Sequence, residues 1–267
     1  MGKSDVPFIR VNGLAIHYGV GAPLTPARGP TVVFVHGAGG AQEQWRFQFR
    51  HLGSRWNVLA VDLPGHGASQ GQGDRTIEGY RDFIRDLLDN LGMTDAVLVG
   101  HSMGGGIAQS FALAHPGRLA GVVLVGTGAR LRVHPEILAS IRGGDMEAAG
   151  RLISRWAYAQ TALPATVAQG AEAFARNRAS VLEGDFLACD AFDAMGKISA
   201  IRIPTLIVCG EDDRLTPVKY AQYLQREIPG ATLATIPGAG HMAMLEKPVE
   251  FNRILAAFLE GRPGFPA

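Results

Sequence analysis

Six short runs of valine, isoleucine and leucine recur along this chain, each ending in a glycine or a polar turn. They are TVVFVHG (31–37), WNVLAVDLPG (56–65), DAVLVGHS (95–102), LAGVVLVGTG (119–128), IPTLIVCGEDD (203–213) and ATLATIPGAGH (231–241). Their apolar residues are continuous rather than alternating. A strand with one wet face alternates; a continuous run belongs to a strand covered on both faces. The stretches between them are helical in period. In TIEGYRDFIRDLLDNLG (76–92), apolar residues fall at 80, 83, 84, 87, 88 and 91, behind an N-capping Thr76 and ahead of a terminating Gly92. Segments 102–115, 217–227 and 248–260 read the same way. Strand and helix in alternation predict an α/β protein, a mostly parallel twisted sheet with helices on both faces. The opening FIRVNGLAIHYGV departs from that rhythm: Asn12-Gly13 between two apolar runs predicts a hairpin, so the sheet begins antiparallel.

Residues 130–198 show no strand pattern. They are rich in alanine, helical in period and punctuated by Pro135 and Pro164. Lying between two sheet strands, they predict a helical insertion over one end of the sheet, with core segments 1–129 and 199–267 on either side. The closing GRPGFPA reads as a frayed tail. With 47% hydrophobic and 18% charged residues, the chain can bury one substantial core. A formal net charge of +1, with basic residues scattered, argues against a nucleic-acid surface. No apolar run reaches the roughly 18 residues of a membrane span. The start MGKSDVPFIRVNG lacks a signal-peptide core, and Val6 stands where a myristoylation signal needs Ser or Thr, so the expectation is a cytoplasmic protein. Cys189 and Cys209 are too few for a disulfide framework or a cysteine metal site, and Cys209 within LIVCG reads as a small buried hydrophobe.

In a parallel sheet, functional residues gather where the carboxyl ends of the strands open into loops. Here those loops read HGAGG, DLPGHGAS, GHSMGG, GEDDRLTP and GAGHMAMLEKP, which places Ser102, Asp213 beside Asp212, and His241 on three of them. Gly100-His101-Ser102-Met103-Gly104 is a G-x-S-x-G pentapeptide between an apolar strand and a helix. A serine projected from so sharp a turn needs strained torsions, and side chains two residues to either side would collide across it. The helix that follows points its positive dipole end at a developing oxyanion. A serine hydroxyl is a weak nucleophile without an adjacent base, and histidine has the ordinary pKa for that role. Among eight histidines, His17 falls in the hairpin and His51, His115 and His134 on helix or surface stretches, while His36, His66 and His101 stand beside glycine turns that they would brace. His241 follows the last strand through a flexible GAG that can bring it over Ser102. Two backbone N–H groups, of Met103 and of Ala38 in the HGAGG loop, are the expected oxyanion donors. A dinucleotide-binding reading of TVVFVHGAGGAQEQW fails at its third glycine, where Gln42 stands.

HGAGG, DLPGHGAS, GHSMGGGIA, PTLIVCGEDDRLTP and IPGAGHMAMLEKP, in that order along nearly the whole chain, resemble the α/β-hydrolase family. The resemblance implies that fold with a helical lid at 130–198, with Ser102 as nucleophile, His241 as general base and later acid, and Asp213 as the residue supporting the imidazole. The family's pattern of a Gly, two variable residues, the Asp, and a Pro four residues beyond fits Gly210, Asp213 and Pro217, which favours Asp213 over Asp212. Asp62, in DLPGHG, matches the family's structural turn, and GTGAR after the preceding strand offers no alternative carboxylate. A serine nucleophile argues against the dehalogenases and epoxide hydrolases of the family, which use aspartate. Carbon–carbon bond hydrolases of aromatic degradation carry a Trp after the histidine, where this chain has Met242; aminopeptidases favour HGGPG over HGAGG. The implied activity is hydrolysis of small to medium, largely apolar carboxylic esters through an acyl-enzyme. Lactone hydrolysis, carbon–carbon hydrolysis and a non-turnover receptor for small ligands are the alternatives. No cofactor, metal, nucleic acid or membrane is called for, and the protein is expected to act as a monomer or homodimer. Leu215 and Met242, next to the acid and the base, and Trp156 of the lid are expected to line the pocket. An apolar pocket of limited depth predicts an optimum at acyl chains of roughly four to eight carbons.

Overall fold

In the computed structural model, which describes residues 8–262 and residue 264, the six apolar runs lie side by side in one eight-stranded sheet. The reading of the leader at residues 1–7 and that of the tail at 263 and 265–267 lie outside the described residues. The chain opens with β1 (Phe8–Val11) and β2 (Leu14–Val20). Asn12 and Gly13 join them at φ 52° and 81°, the left-handed pair that a two-residue hairpin turn requires. β3 (Thr31–Val35), α1 (Arg46–Leu52), β4 (Asn57–Val61) and α2 (Ile77–Asn90) follow. Next come β5 (Ala96–His101), α3 (Met103–Ala114) and β6 (Leu119–Val125). Across the sheet the order is β1-β2-β4-β3-β5-β6, continued by β7 (Thr205–Gly210) and β8 (Thr232–Ile236). β1 and β2 pair antiparallel with each other, as do β2 and β4; the remaining pairs are parallel. Between β6 and β7 stand α4 (Pro135–Arg142), α5 (Met146–Ala157), α6 (Pro164–Ala175) and α7 (Ala179–Ala191). α8 (Val218–Glu227) links β7 to β8, and α9 (Ala243–Glu246) and α10 (Pro248–Glu260) follow β8.

The unbroken apolar runs are explained by a core on each side of the sheet. Val33, Leu59, Leu98, Val122 and Ile207 point to one face, under Tyr80, Ile84, Leu87, Ile107, Phe111 and Leu224. Their neighbours Val32, Val58, Val97, Val123 and Val208 point to the other, under Trp45, Leu52, Phe251, Leu255 and Leu259. Each strand thus carries two apolar faces, and alternation disappears. α2 starts where its pattern predicts, with the Thr76 hydroxyl accepting the Gly79 N–H at 3.1 Å. α1 is an element the periodicity did not announce, because seven residues complete only two turns. The α4–α7 segment keeps a small apolar cluster of its own, built on Ile137, Ile141, Ala149, Phe174 and Leu182. An antiparallel bridge between Arg130 and Asp193 ties its two ends together.

Candidate active site

Ser102 sits between the last residue of β5 and the first of α3 at φ 53° and ψ −115°. A side-chain-bearing residue adopts positive φ only under constraint. The constraint is visible: the Ser102 N–H donates to Val125 O at 2.9 Å, and its carbonyl accepts from Thr127 Oγ1 at 2.9 Å. The glycines two residues to either side make the turn possible. A Cβ on Gly100 would stand 2.0 Å from Gly104 O, and one on Gly104 would stand 2.5 Å from Val35 O. The close packing of backbone on backbone, strand end against helix start, leaves room for no side chain.

On the neighbouring loop, His241 Nδ1 lies 2.9 Å from Asp213 Oδ2. A proton on Nδ1, donated to that carboxylate, leaves the Nε2 lone pair as a base. Asp213 also accepts the Leu215 and Thr216 N–H groups on Oδ1, at 2.9 and 2.8 Å, and the Thr216 hydroxyl on Oδ2 at 2.8 Å. Burial by itself would raise this carboxyl, but the His241 charge and hydrogen bond, with the two hydrogen bonds from Thr216, hold it below the ordinary carboxylate value. Asp212, its neighbour, is exposed. The base is held to the serine's strand by His101, whose Nε2–H donates to His241 O at 3.1 Å with the rings 4.6 Å apart. Burial and the nearby His241 keep His101 well below its ordinary pKa, so this brace is neutral. The His241 loop is further pinned by α5, since Ala157 O accepts its N–H at 2.8 Å, and by Glu246, which accepts the Gly240 and Ala159 N–H groups at 3.0 and 2.9 Å.

The HGAGG loop lies against the serine: a Cβ on Gly37 would come within 3.1 Å of Ser102 Cβ. Ala38 lines the same cavity as Ser102. Met103 N–H is the first of α3, with no helix carbonyl behind it to accept it. His36 braces this loop, donating through Nδ1 to Gly37 O at 2.8 Å and accepting Leu63 N–H on Nε2 at 3.1 Å. Burial and the His66 charge lower its pKa to about 4. The feature that sequence reasoning missed is Asp185. Fully buried on α7, it accepts from Gly39 N at 2.8 Å, His66 Nε2 at 2.7 Å and Tyr80 Oη at 2.6 Å, so one carboxylate joins the loops after β3 and β4, and α2, to the α4–α7 segment. Burial alone would lower His66, but the Asp185 charge and hydrogen bond raise it. Nothing in α7's composition marks this residue, because its three donors lie 105 to 146 residues away in the chain. Asp62 occupies the structural turn, accepting Gln42 and Ala68 N–H groups at 2.7 and 3.0 Å with His17 Nδ1 at 2.5 Å.

Above Ser102 opens a cavity of ≈ 590 Å³, lined by Ala38, Leu131, Trp156, Phe186, Leu215 and Tyr220 among others. Of the residues expected to line the pocket, Leu215 and Trp156 are in the lining of this cavity and Met242 is not. Met242, half-buried, packs against the apolar cluster on the α10 side of the sheet. It is the N-cap of α9, whose Ala243 and Met244 are buried in that same cluster. Nor is the cavity as apolar as expected, for Arg132, Arg155 and Arg214 share its lining. Among the described residues no three metal-binding side chains stand together, and no helix is long and apolar enough to cross a membrane.

Residues 32–254 match the model of the alpha/beta hydrolase family. A thermophilic esterase of known structure is 36% identical, with a TM-score of 0.84 over 96% of this chain and 98% of that one. The enol-lactonase from Burkholderia xenovorans LB400 is 26% identical, with a TM-score of 0.88 over 95% and 99%. The dihydrolipoyllysine-residue acetyltransferase component of the acetoin cleaving system of Cupriavidus necator is 30% identical over 95% of this chain and 69% of its own length.

Proposed function

The chain belongs to the alpha/beta hydrolase family, and from that premise we propose that it hydrolyses carboxylic esters through Ser102, His241 and Asp213. The observation that carries the reading is the His241–Asp213 pair at 2.9 Å, tied through His101 to the strand end where Ser102, at φ 53°, lines a cavity. In this reading His241 Nε2 takes the Ser102 proton as Oγ attacks the ester carbonyl. The carbonyl oxygen, now negative, accepts the Ala38 and Met103 N–H groups. Asp213 steadies the imidazolium, which returns the proton to the departing alcohol. Water then repeats the sequence on the acyl-enzyme and frees the acid. A lactone is a cyclic ester and follows the same steps; the similarity to an enol-lactonase at a TM-score of 0.88 supports that second reading. The α4–α7 segment acts as a lid, and the contacts of Asp185 and Ala157 favour a braced lid over a free flap.

A fluorophosphonate probe should label Ser102, and Ser102→Ala should abolish labelling while lowering ester turnover by about 10³-fold or more. On p-nitrophenyl esters from acetate to palmitate, kcat/KM should rise by about fourfold per methylene until the cavity fills, at roughly four to eight acyl carbons. Labelling that persists in the variant overturns the nucleophile. Best activity on palmitate, with a jump in rate above the micelle concentration, overturns the braced lid.

A further inference from the structure

Three exposed arginines from three separate segments are among the residues that line the Ser102 cavity. Arg132 comes from the loop before α4, Arg155 from α5, and Arg214 from the loop after β7. The residues lining the cavity include no aspartate or glutamate. The more buried part of the lining is apolar, with Leu131 and Ile137 buried and Trp156, Phe186 and Leu215 half-buried.

The chemistry of these arginines is unfinished. A guanidinium carries five N–H donors. Arg132 gives one to Asp190 O at 2.6 Å, and Arg214 gives one to Arg155 O. Both are thus oriented by backbone carbonyls of the α4–α7 segment, and among the described residues no ion pair to a carboxylate is formed by either, or by Arg155. The acids nearby are engaged elsewhere. The Asp190 carboxylate accepts Val133 N–H at 3.1 Å, Asp193 is paired with Arg130, and Asp213 is buried under four donors. Asp212, exposed on the same turn as Arg214, is not part of the cavity lining. His134 also lines the opening, its ring 5.1 Å from that of Trp156. In a chain whose formal net charge is +1, three arginines lining one cavity are a local concentration of positive charge; Asp193, which feels the Arg132 charge, is itself ion-paired with Arg130.

We propose that the substrate carries a carboxylate remote from the scissile ester: a half-ester, or the corresponding lactone acid, whose apolar spacer lies along the cavity wall and whose anionic end is bound by Arg132, Arg155 and Arg214. The proposal rests on the ester-hydrolase reading of Ser102. A planar guanidinium fork matches a carboxylate through paired N–H···O bonds, and the cationic rim draws an anion toward the opening before contact. The reaction itself is unchanged: water cleaves the ester C–O bond, giving an alcohol and a dicarboxylate from a half-ester, or a single hydroxy-dicarboxylate from a lactone acid.

The test compares p-nitrophenyl hexanoate with the p-nitrophenyl half-ester of adipic acid, which has the same carbon count and one added charge. For the wild type at low salt, kcat/KM should favour the half-ester by about tenfold or more, mostly through KM. Raising the ionic strength should erode that preference, because exposed charges are screened. Replacing Arg132, Arg155 and Arg214 together by Gln should bring the ratio close to one; Arg155→Gln alone should lower it part of the way. Equal kcat/KM for the two esters in the wild type, or a preference that survives the triple change, overturns the proposal. A separate calorimetric titration of Ser102→Ala with monomethyl adipate and methyl hexanoate decides the matter independently of turnover. If neither p-nitrophenyl ester is cleaved but monomethyl adipate binds more tightly, and loses that advantage with the three arginines, the ester reading fails while the anion site stands. Equal binding of the two overturns the anion site.

Discussion

Asp213 receives four hydrogen-bond donors and the Asp212 side chain is exposed, although the two are adjacent in the chain. The turn decides this, since the two Oδ1 bonds to Leu215 and Thr216 N–H groups close a local ring only when the carboxylate points inward. Asp213→Asn replaces an acceptor by a group that offers His241 Nδ1 the wrong partner and removes the charge supporting imidazolium. Its kcat on a simple ester should fall by about 10⁴-fold with the fold intact. Asp212→Asn should stay within about threefold of the wild type, as exposed substitutions away from special features do. Steady-state kinetics of the two variants provide the check; equal losses would place the acid elsewhere.

At the scale of elements, α7 works as a fastener more than as a roof. Its Asp185 is a buried acceptor for three donors, and Leu182, one turn earlier, packs where a Cβ on Gly39 would stand at 2.5 Å. Removing one partner of a buried charged cluster strands the others, which costs more than the net worth of the bonds. Asp185→Ala should therefore lower unfolding stability by about 3–5 kcal/mol. Tyr80→Phe, which deletes one donor and leaves the carboxylate two, should cost about 2 kcal/mol. Urea unfolding of both variants measures the order. An Asp185→Ala protein as stable as the wild type would remove α7 from this role.

Across the whole molecule, the buried histidines set a dependence on pH. His36 and His101 are held neutral by burial, His36 with a pKa of about 4 and His101 well below 6.5. The unfolded chain protonates both near 6.5, so between 6.5 and about 4 it binds more protons than the folded chain, and stability falls as pH falls through that window. For His36 the gap corresponds to roughly 3 kcal/mol. His66 acts in the opposite sense: its pKa is raised by Asp185, so its contribution is complete below 6.5 and is lost as pH rises through the raised value. Below 6.5 the His66 contribution no longer changes with pH, so the two lowered histidines set the slope there. Denaturant unfolding at pH 7.0, 5.5 and 4.5 should show a progressive loss, and His36→Gln should flatten it. A stability that is level from pH 7.0 to 4.5 would contradict the neutral braces.

The strands, the Asn12-Gly13 hairpin, the cap of α2 and the G-x-S-x-G turn were legible in the residue order, because each depends on neighbours within a few positions. A strand buried on both faces needs a continuous apolar run, and a left-handed turn needs residues that tolerate positive φ. The order of the loops at the sheet's carboxyl end follows from strand alternation, which puts Ser102, the Asp212–Asp213 pair and His241 on three of them; only the resemblance to the family's Gly210, Asp213 and Pro217 pattern favours Asp213. Met242, Asp185 and the three arginines lay beyond that reach. Whether Met242 points into a cavity or a core depends on how α9 leaves the His241 loop. Asp185 has meaning only beside His66, Tyr80 and Gly39, and Arg132, Arg155 and Arg214 form a site only because three distant segments end at one opening. Backbone periodicity is a short-range property and leaves a mark in the order of residues; the convergence of side chains from distant segments has no period, and packing alone settles it.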